Sequence, residues 1–309
     1  MPAFTIKATI PVVNYGNISP ELTIEAETFA EAQAIAMPQI EALWAQYCSP
    51  GSELKKRDTT TDLEFETIVS TMCDSKTFYF NAEQHIYKDE NGNTDFLSGS
   101  KFAHKYVPPF PKEEAIIRCA QAWGSTEDEV RDMWKLKGDS SGAFGTGIHA
   151  ALELYGKHKE LGKVAGAKKG INAALHTQPL LTKIVSEFYK TREHETALYE
   201  AGVISKDGKR IGQLDRTLIV DPIKKICRVQ DFKTNDDITT VGSPKTLLAP
   251  FTDMENTKLN SYWLQLSFYA SILEEYGWTV EGLDIFHYTD KWVTYTRPRI
   301  KLEKELLGA

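Results

Sequence analysis

Two aspartates and a lysine stand in the stretch IGQLDRTLIVDPIKKICRVQDFKT, residues 211–234, with the types and spacing of a metal-assisted hydrolytic site. The stretch reads as two strands, about 212–220 and 226–233, joined by a turn at Asp221-Pro222-Ile223-Lys224-Lys225. A hairpin symmetric about Ile223 sets Asp215 opposite Asp231. Opposed cross-strand residues lie about 4.5–5.5 Å apart at Cβ, and like charges there are destabilising. A divalent cation between the carboxylates offsets that repulsion. Lys233 is two residues past Asp231, so it shares that face of the strand. Such a set suits phosphodiester hydrolysis, in which a bound metal activates water and neutralises developing charge. Lysine has an ordinary pKa of about 10.4. It therefore serves as a charge stabiliser, and service as a base requires a lowered pKa. Taken alone, the Asp-x-Lys triplet fits a solvated surface hairpin equally well.

The elements around the hairpin supply further candidates. The run GDSSGAFGTGIHAALELY, residues 138–155, has glycines that permit close backbone approach, then a helix starting near Gly147. His149 and Glu153 are four apart and share a helix face. Beside the aspartates they complete a mixed nitrogen and oxygen shell, and the imidazole biases it toward Mn²⁺ over Mg²⁺. By themselves they are an ordinary surface pair. Glu200 lies on the preceding strand, ALYEAGVIS, and either borders the site or is simply exposed. Residues 235–258 read as a long loop, the length of a lid or substrate loop. The amphipathic helix SYWLQLSFYASILEEYG follows, closed by Gly277. It carries Gln265 and Tyr269 on one face, where they suit phosphate or base contacts or a half-buried packing role. A strand pair, LDIFHYT and WVTYTRP, and a short charged helix end the chain.

Upstream, residues 4–13 and 21–26 read as two strands about a turn over 14–20. Thr28 and Glu31 form a capping box that opens a helix, expected to bend or break at Pro38. This ββα extension, residues 1–50, is small for an independent core. Residues 51–61, with Pro, Gly and polar side chains, read as a linker. The main domain spans 62–309 and begins with β structure, including a hairpin about 90–93. A helix near 113–123, another from about 125 to 137, and a long helix over 171–194 come next.

The 309 residues carry a formal net charge of -7, which argues against a protein that coats nucleic acid without specificity. A local basic groove is compatible with that total. Lys55-Lys56-Arg57, Lys168-Lys169 and Arg297 with Arg299 and Lys301 are the basic clusters, each read as a solvated face. No apolar run approaches a membrane span, and the N-terminal residues lack the pattern of a signal peptide. Cys48, Cys73, Cys119 and Cys227 are scattered without a C-x-x-C pair, which fits a reducing cytoplasm.

Four blocks in order, GTGIHAALE, IGQLDR, VQDFKT and QLSFYA, resemble the PD-(D/E)XK nuclease superfamily, in the branch of phage lambda-type exonucleases and RecB-type nuclease domains. The resemblance covers about residues 75–300. It implies a restriction-endonuclease-like α/β fold with an αβββαβ core, a mixed central sheet flanked by helices. It implies that Asp215, Asp231, the Phe232 carbonyl and His149 bind Mg²⁺ or Mn²⁺, with Glu153 orienting the metal or its waters. Lys233 would be catalytic, and Gln265 and Tyr269 would position the DNA strand. Some relatives carry an iron–sulfur cluster on C-terminal cysteines; no cysteine follows Cys227, so none is expected here. The implied activity is a DNA exonuclease of phage recombination or DNA processing, working in the bacterial host cytoplasm. A structure-specific or nicking endonuclease and a non-catalytic DNA-binding module are the alternatives. By the same analogy its partners are DNA, a single-strand annealing or single-strand-binding protein, and further copies of the chain.

Overall fold

The computed structural model describes residues 3–7, 10–12, 16–18, 21–28, 31–32, 34–39, 65–81, 84–158, 178–303 and 307. The chain divides into two compact units, Met1–Leu63 and Glu64–Ala309. The expected linker at 51–61 lies outside the described residues, as do the basic clusters at 55–57 and 168–169.

In the first unit, strands β1 (Ala3–Lys7), β2 (Ile10–Val12), β3 (Gly16–Ile18) and β4 (Glu21–Glu25) pair as β1 with β4 and β2 with β3, both antiparallel. Thr5↔Thr23 and Pro11↔Asn17 are centred on the same point of the chain, so the two ladders are parts of one hairpin. This corrects the expected turn over 14–20, part of which is β3. The Thr28 hydroxyl accepts from the Glu31 N–H at 3.3 Å, and the Glu31 carboxylate accepts from the Thr28 N–H at 3.3 Å. The helix that this box opens continues through Pro38 to Gln39, so it does not break where expected. A proline there forgoes one hydrogen bond near the end of the described helix. Residues 40–50 lie outside the described part.

The second unit is mixed α/β. It opens with a three-stranded antiparallel sheet of β5 (Glu66–Ser70), β6 (Lys76–Asn81) and β7 (Ile86–Lys88). The hairpin expected about 90–93 is corrected. Asp89 closes a turn there by accepting from the N–H groups of Asn91 and Asn93 at 2.9 and 2.8 Å. The polar residues after it offer β7 no partner strand, and the chain instead forms β8 (Leu97–Ser98) beside the main sheet. The helices α1 (Gly99–His104) and α2 (Lys112–Trp123) follow.

Helix α3 (Glu127–His158) is one helix of 32 residues where two were expected. Each interior glycine costs about 1 kcal/mol relative to alanine. The helix persists because Thr126 and Glu129 cap its start and Ile148, Ala151 and Leu152 are buried beneath its second half. Helix α4 spans Pro179–Tyr189, shorter than the 171–194 expected. The proline occupies its first position, where no N–H is needed, and Gln178 before it is not helical. Residues 171–177 lie outside the described part.

The remaining elements are β9 (Ala197–Ile204), β10 (Arg210–Asp221), β11 (Ile226–Lys233), α5 (Lys258–Glu275), β12 (Thr279–Tyr288) and β13 (Trp292–Arg297). They form a mixed six-stranded sheet in the order β13-β12-β11-β10-β8, with β9 on the other edge of β10. β10 is antiparallel to both β9 and β11, and β12 is parallel to β11. Alternate residues of β11 and β12 face opposite ways. Val229, Leu283 and Ile285 join Leu264, Leu266 and Phe268 of α5, while Phe232 and Phe286 join Ile148 and Phe188 of α3 and α4. No helix among the described residues is long and apolar enough to cross a membrane.

The segment between β11 and α5, read as a lid or substrate loop, is a long loop as expected, and it is anchored. Ile238, Leu247 and Phe251 are buried in the core, and the Leu248 N–H is held by the Tyr106 carbonyl at 2.8 Å. Arg299, one of the residues read as a solvated basic face, pairs with Glu274.

Candidate metal centre

The site forms where β10 loses a partner. On one edge β10 follows β9 along most of its length; on the other it pairs with β11 only from Arg216 onward and with β8 only at Arg210 and Ile211. In that gap the Phe232 N–H donates to the Asp215 carboxylate at 2.9 Å. The ladder keeps the expected register, Arg216↔Gln230 through Ile219↔Cys227. Asp215 is therefore one step beyond the last pair, beside Asp231. On the β9 side, Leu214↔Ala201 and Arg216↔Tyr199 bracket Asp215 and Glu200. Glu200, Asp215 and Asp231 thus form an acidic row across three strands. Glu200 has φ of 48°, a left-handed conformation that costs a non-glycine residue free energy and clusters at functional sites.

Helix α3 brings the imidazole. Gly145, His149, Leu152 and Gly156 are spaced to share one helix face. A Cβ at Gly145 would lie 2.9 Å from Thr234 Oγ1, and one at Gly156 would collide with the Tyr199 ring. The two glycines let the helix settle on the sheet on both sides of His149. Its Nδ1 lies 3.4 Å from Asp215 Oδ2, and its ring meets Phe232 edge-on at 5.7 Å. His149, Glu200 and Asp215 each offer a ligand atom within 4.8 Å of the others.

The electrostatics fit a cation. Burial, then the charges of Asp215 and Glu153, push the Glu200 carboxyl up to about 8. Among the described residues no hydrogen bond or ion pair reaches that carboxylate. Burial also raises Asp231, to about 7, against the pull of Lys233. Asp215 is buried too, yet His149, Lys233 and the Phe232 N–H hold it below the ordinary carboxylate range. Burial works against the Lys233 ammonium, but Asp231 and Asp215 outweigh it and raise its pKa. Lys233 therefore stays a cation. A set of one imidazole and two clustered carboxylates matches the donors of Mn²⁺ or Mg²⁺.

The expected residues do not all converge. Lys233 pairs with Asp231, and its Nζ also lies 3.2 Å from the Phe232 carbonyl. Asp231 and that carbonyl, expected as ligands, are thus engaged by the lysine, and the three-residue cluster holds Glu200 in their place. Glu153 pairs with Lys157 one turn along α3, outside the cluster. Tyr269 is buried, wedged between Gly99 and Gly212, and Gln265 Nε2 donates to its hydroxyl at 3.2 Å. Gln265 is the half-buried member of the two.

Other residues complete the site. The Tyr262 ring lies 4.8 Å from Lys233 Nζ, and its hydroxyl donates to the Asn235 side chain at 2.8 Å. His287 Nε2 meets the Asn235 carbonyl at 2.6 Å. Tyr262, Gln265 and Tyr269 follow i, i+3, i+7 spacing, a signal that could have found Tyr262.

A buried polar row underlies the acidic one, and its members Tyr199, Arg216 and Gln230 are the chain neighbours of Glu200, Asp215 and Asp231. Arg216 is fully buried; its Nε donates to Tyr199 Oη at 3.0 Å, and the guanidinium reaches Gln230 and, at 2.7 Å, Glu195. Gln230 donates to Asp284 at 2.8 Å, and Asp284 takes a bidentate contact from Arg228. At the other end the Tyr199 and Tyr189 hydroxyls are 2.6 Å apart, and Tyr189 donates to the Leu152 carbonyl of α3 at 2.8 Å.

No family model matches the chain, and searches of curated proteins and of solved structures find no match to it.

Proposed function

We propose that the chain is a divalent-metal-dependent nuclease, acting on DNA as an exonuclease of the PD-(D/E)XK type. The observation that carries this reading is the meeting of His149, Glu200 and Asp215 beside the Asp231–Lys233 pair. It arises within an element order of α3, β9, β10, β11, α5 and β12, which is αβββαβ once α4 is set aside, and this order supports the assignment. His149, Glu200 and Asp215 would hold Mg²⁺ or Mn²⁺. When bound, the metal supplies Lewis-acid stabilisation and a water of lowered pKa. The Lys233 ammonium, fixed between Asp231 and the Tyr262 ring, offers positive charge to a phosphate oxygen. Asp231 fixes the lysine, and the Phe232 N–H fixes the Asp215 carboxylate.

An endonuclease reading is favoured by one observation. Two clefts, of about 1100 and 490 Å³, both include Thr146 and His149, so a strand crossing the site needs no free end. The test is digestion of end-labelled linear duplex and covalently closed circular DNA with Mn²⁺, Mg²⁺ or EDTA. Metal-dependent loss of linear DNA alone supports the exonuclease, and loss of both supports the endonuclease. Binding without digestion of either, with every metal tried, sinks the catalytic reading.

A further inference from the structure

We infer that the larger cleft is a stacking trough for single-stranded polynucleotide, in which Phe110 and Trp134 hold bases and Lys258 holds a phosphate; the inference rests on the nuclease reading of the adjoining metal centre. The cleft of about 1100 Å³ runs along α3 to His149. Trp134, Lys137, Ser141, Gly145 and His149 keep to one helix face, so the trough extends about 22 Å at 1.5 Å per residue. At its far end the Phe110 and Trp134 rings have centroids 6.2 Å apart and planes inclined by 39°. Trp134 is braced against the small core of Ile116, Ala120 and Val130, while Phe110 is 67% exposed. A large exposed ring beside a braced indole is a platform for a flat apolar ligand.

Charge identifies that ligand. Lys137 is paired with Asp236 at 2.6 Å, and Lys258 is the lining lysine that forms no salt bridge among the described residues. Lys258 is the first residue of α5, and no acidic residue shares its first turn. The Leu259 N–H is held by the Ile238 carbonyl and the Asn260 N–H by the Thr257 hydroxyl, so the exposed Lys258 ammonium is the group that takes the phosphate. A flat apolar group repeated along an anionic backbone is a polynucleotide. Bases inside a duplex do not present their faces, whereas unstacked bases do, and stacking on aromatic rings tolerates any sequence.

The experiment is fluorescence anisotropy of a labelled oligothymidylate, and of a blunt duplex of equal length, in EDTA to prevent hydrolysis. Wild type should bind the single strand more tightly than the duplex. Phe110→Ala and Trp134→Ala should each weaken single-strand binding by about 5- to 150-fold, the range for one base stacked on an aromatic ring. Lys258→Ala should lower the slope of log affinity on log salt by about 1. The Mn²⁺-induced thermal shift should be unchanged in all three. If Trp134→Ala is destabilised through its contacts with Ile116 and Val130, the exposed Phe110 carries the test. Single-strand affinity unchanged in Phe110→Ala overturns the proposal, as does a dimer that this variant dissociates without change in oligonucleotide binding. Phe110-dependent binding by a wild type that hydrolyses nothing keeps the trough and removes the nuclease.

Discussion

Arg216 Nε donates to the Tyr199 hydroxyl at 3.0 Å, and each residue is the chain neighbour of a candidate ligand, Asp215 and Glu200. The contact joins β9 to β10 at Arg216, the residue from which β10 pairs with β11 and one step from the unpaired gap that holds Asp215. A hydrogen bond to a buried charge contributes about 1.5–3 kcal/mol. Tyr199→Phe keeps the ring against α3 and deletes the hydroxyl, with its contacts to Arg216 and to Tyr189. Urea unfolding should show a loss of about that size, and Mn²⁺ should bind more weakly because Glu200 and Asp215 are less firmly set. A stability loss with unchanged Mn²⁺ affinity would make the polar row purely structural.

A metal that binds only the native state stabilises it by about 2.7 kcal/mol at a hundredfold excess over Kd. For a unit of this size that is a rise in Tm of about 5–10 °C. Asp215→Ala should abolish the rise. Glu200→Gln should also lose most of it, yet raise the Tm of the metal-free protein, since an amide needs neither a bound proton nor a buried charge beside Asp215 and Glu153. Differential scanning fluorimetry with and without Mn²⁺ reads both. A full thermal shift in Glu200→Gln would return the site to the two aspartates alone.

The hairpin was legible because it is local. Its register depends on a turn of a few residues, and the spacing of Asp215 and Asp231 about Ile223 suffices to bring them together. His149 was legible because helical spacing aims it with its neighbours. Glu200 was legible only as a residue that borders the site or is exposed, because its place depends on the register of β9 against β10 and on a left-handed backbone that no residue type announces. The continuity of α3 was hidden for the opposite reason. Glycines at 138, 142, 145 and 147 read locally as a loop, and only packing on Thr234 and Tyr199 shows two close approaches of a helix. The anchoring of the loop at 235–258 was hidden because it rests on three scattered apolar residues, Ile238, Leu247 and Phe251, in a segment that has no periodicity.

Stability should depend on pH with the sign set by the raised carboxyls. Glu200, near 8, and Asp231, near 7, hold protons in the folded protein at pH values where the unfolded chain has released them. The native state then binds more protons, so metal-free stability is greatest below the unfolded carboxylate pKa and falls as pH rises toward about 8. Asp215, held low, acts in the opposite sense but only in the acid range. With Mn²⁺ present the decline should flatten or reverse, since metal binding releases those protons. Melting curves from pH 5 to 8.5, with EDTA or Mn²⁺, test this. A metal-free Tm that rises across the range would show that Glu200 and Asp231 are ionised throughout.

Lys233 separates binding from chemistry. It contacts Asp231 and the Phe232 carbonyl but lies outside the cluster of His149, Glu200 and Asp215. Lys233→Ala should therefore abolish hydrolysis while leaving the Mn²⁺ thermal shift largely intact, and Asp231→Ala should weaken both through the freed lysine. Because its carboxylate neighbours hold Lys233 as a cation, it offers no titration between pH 6 and 9, and the wild-type rate should show no inflection there that vanishes in Lys233→Arg. Lys233→Arg keeps the charge and should retain measurable hydrolysis if charge is what the site requires. Activity lost in Lys233→Arg as fully as in Lys233→Ala would instead assign the residue proton transfer, since arginine keeps the charge and is not deprotonated in proteins.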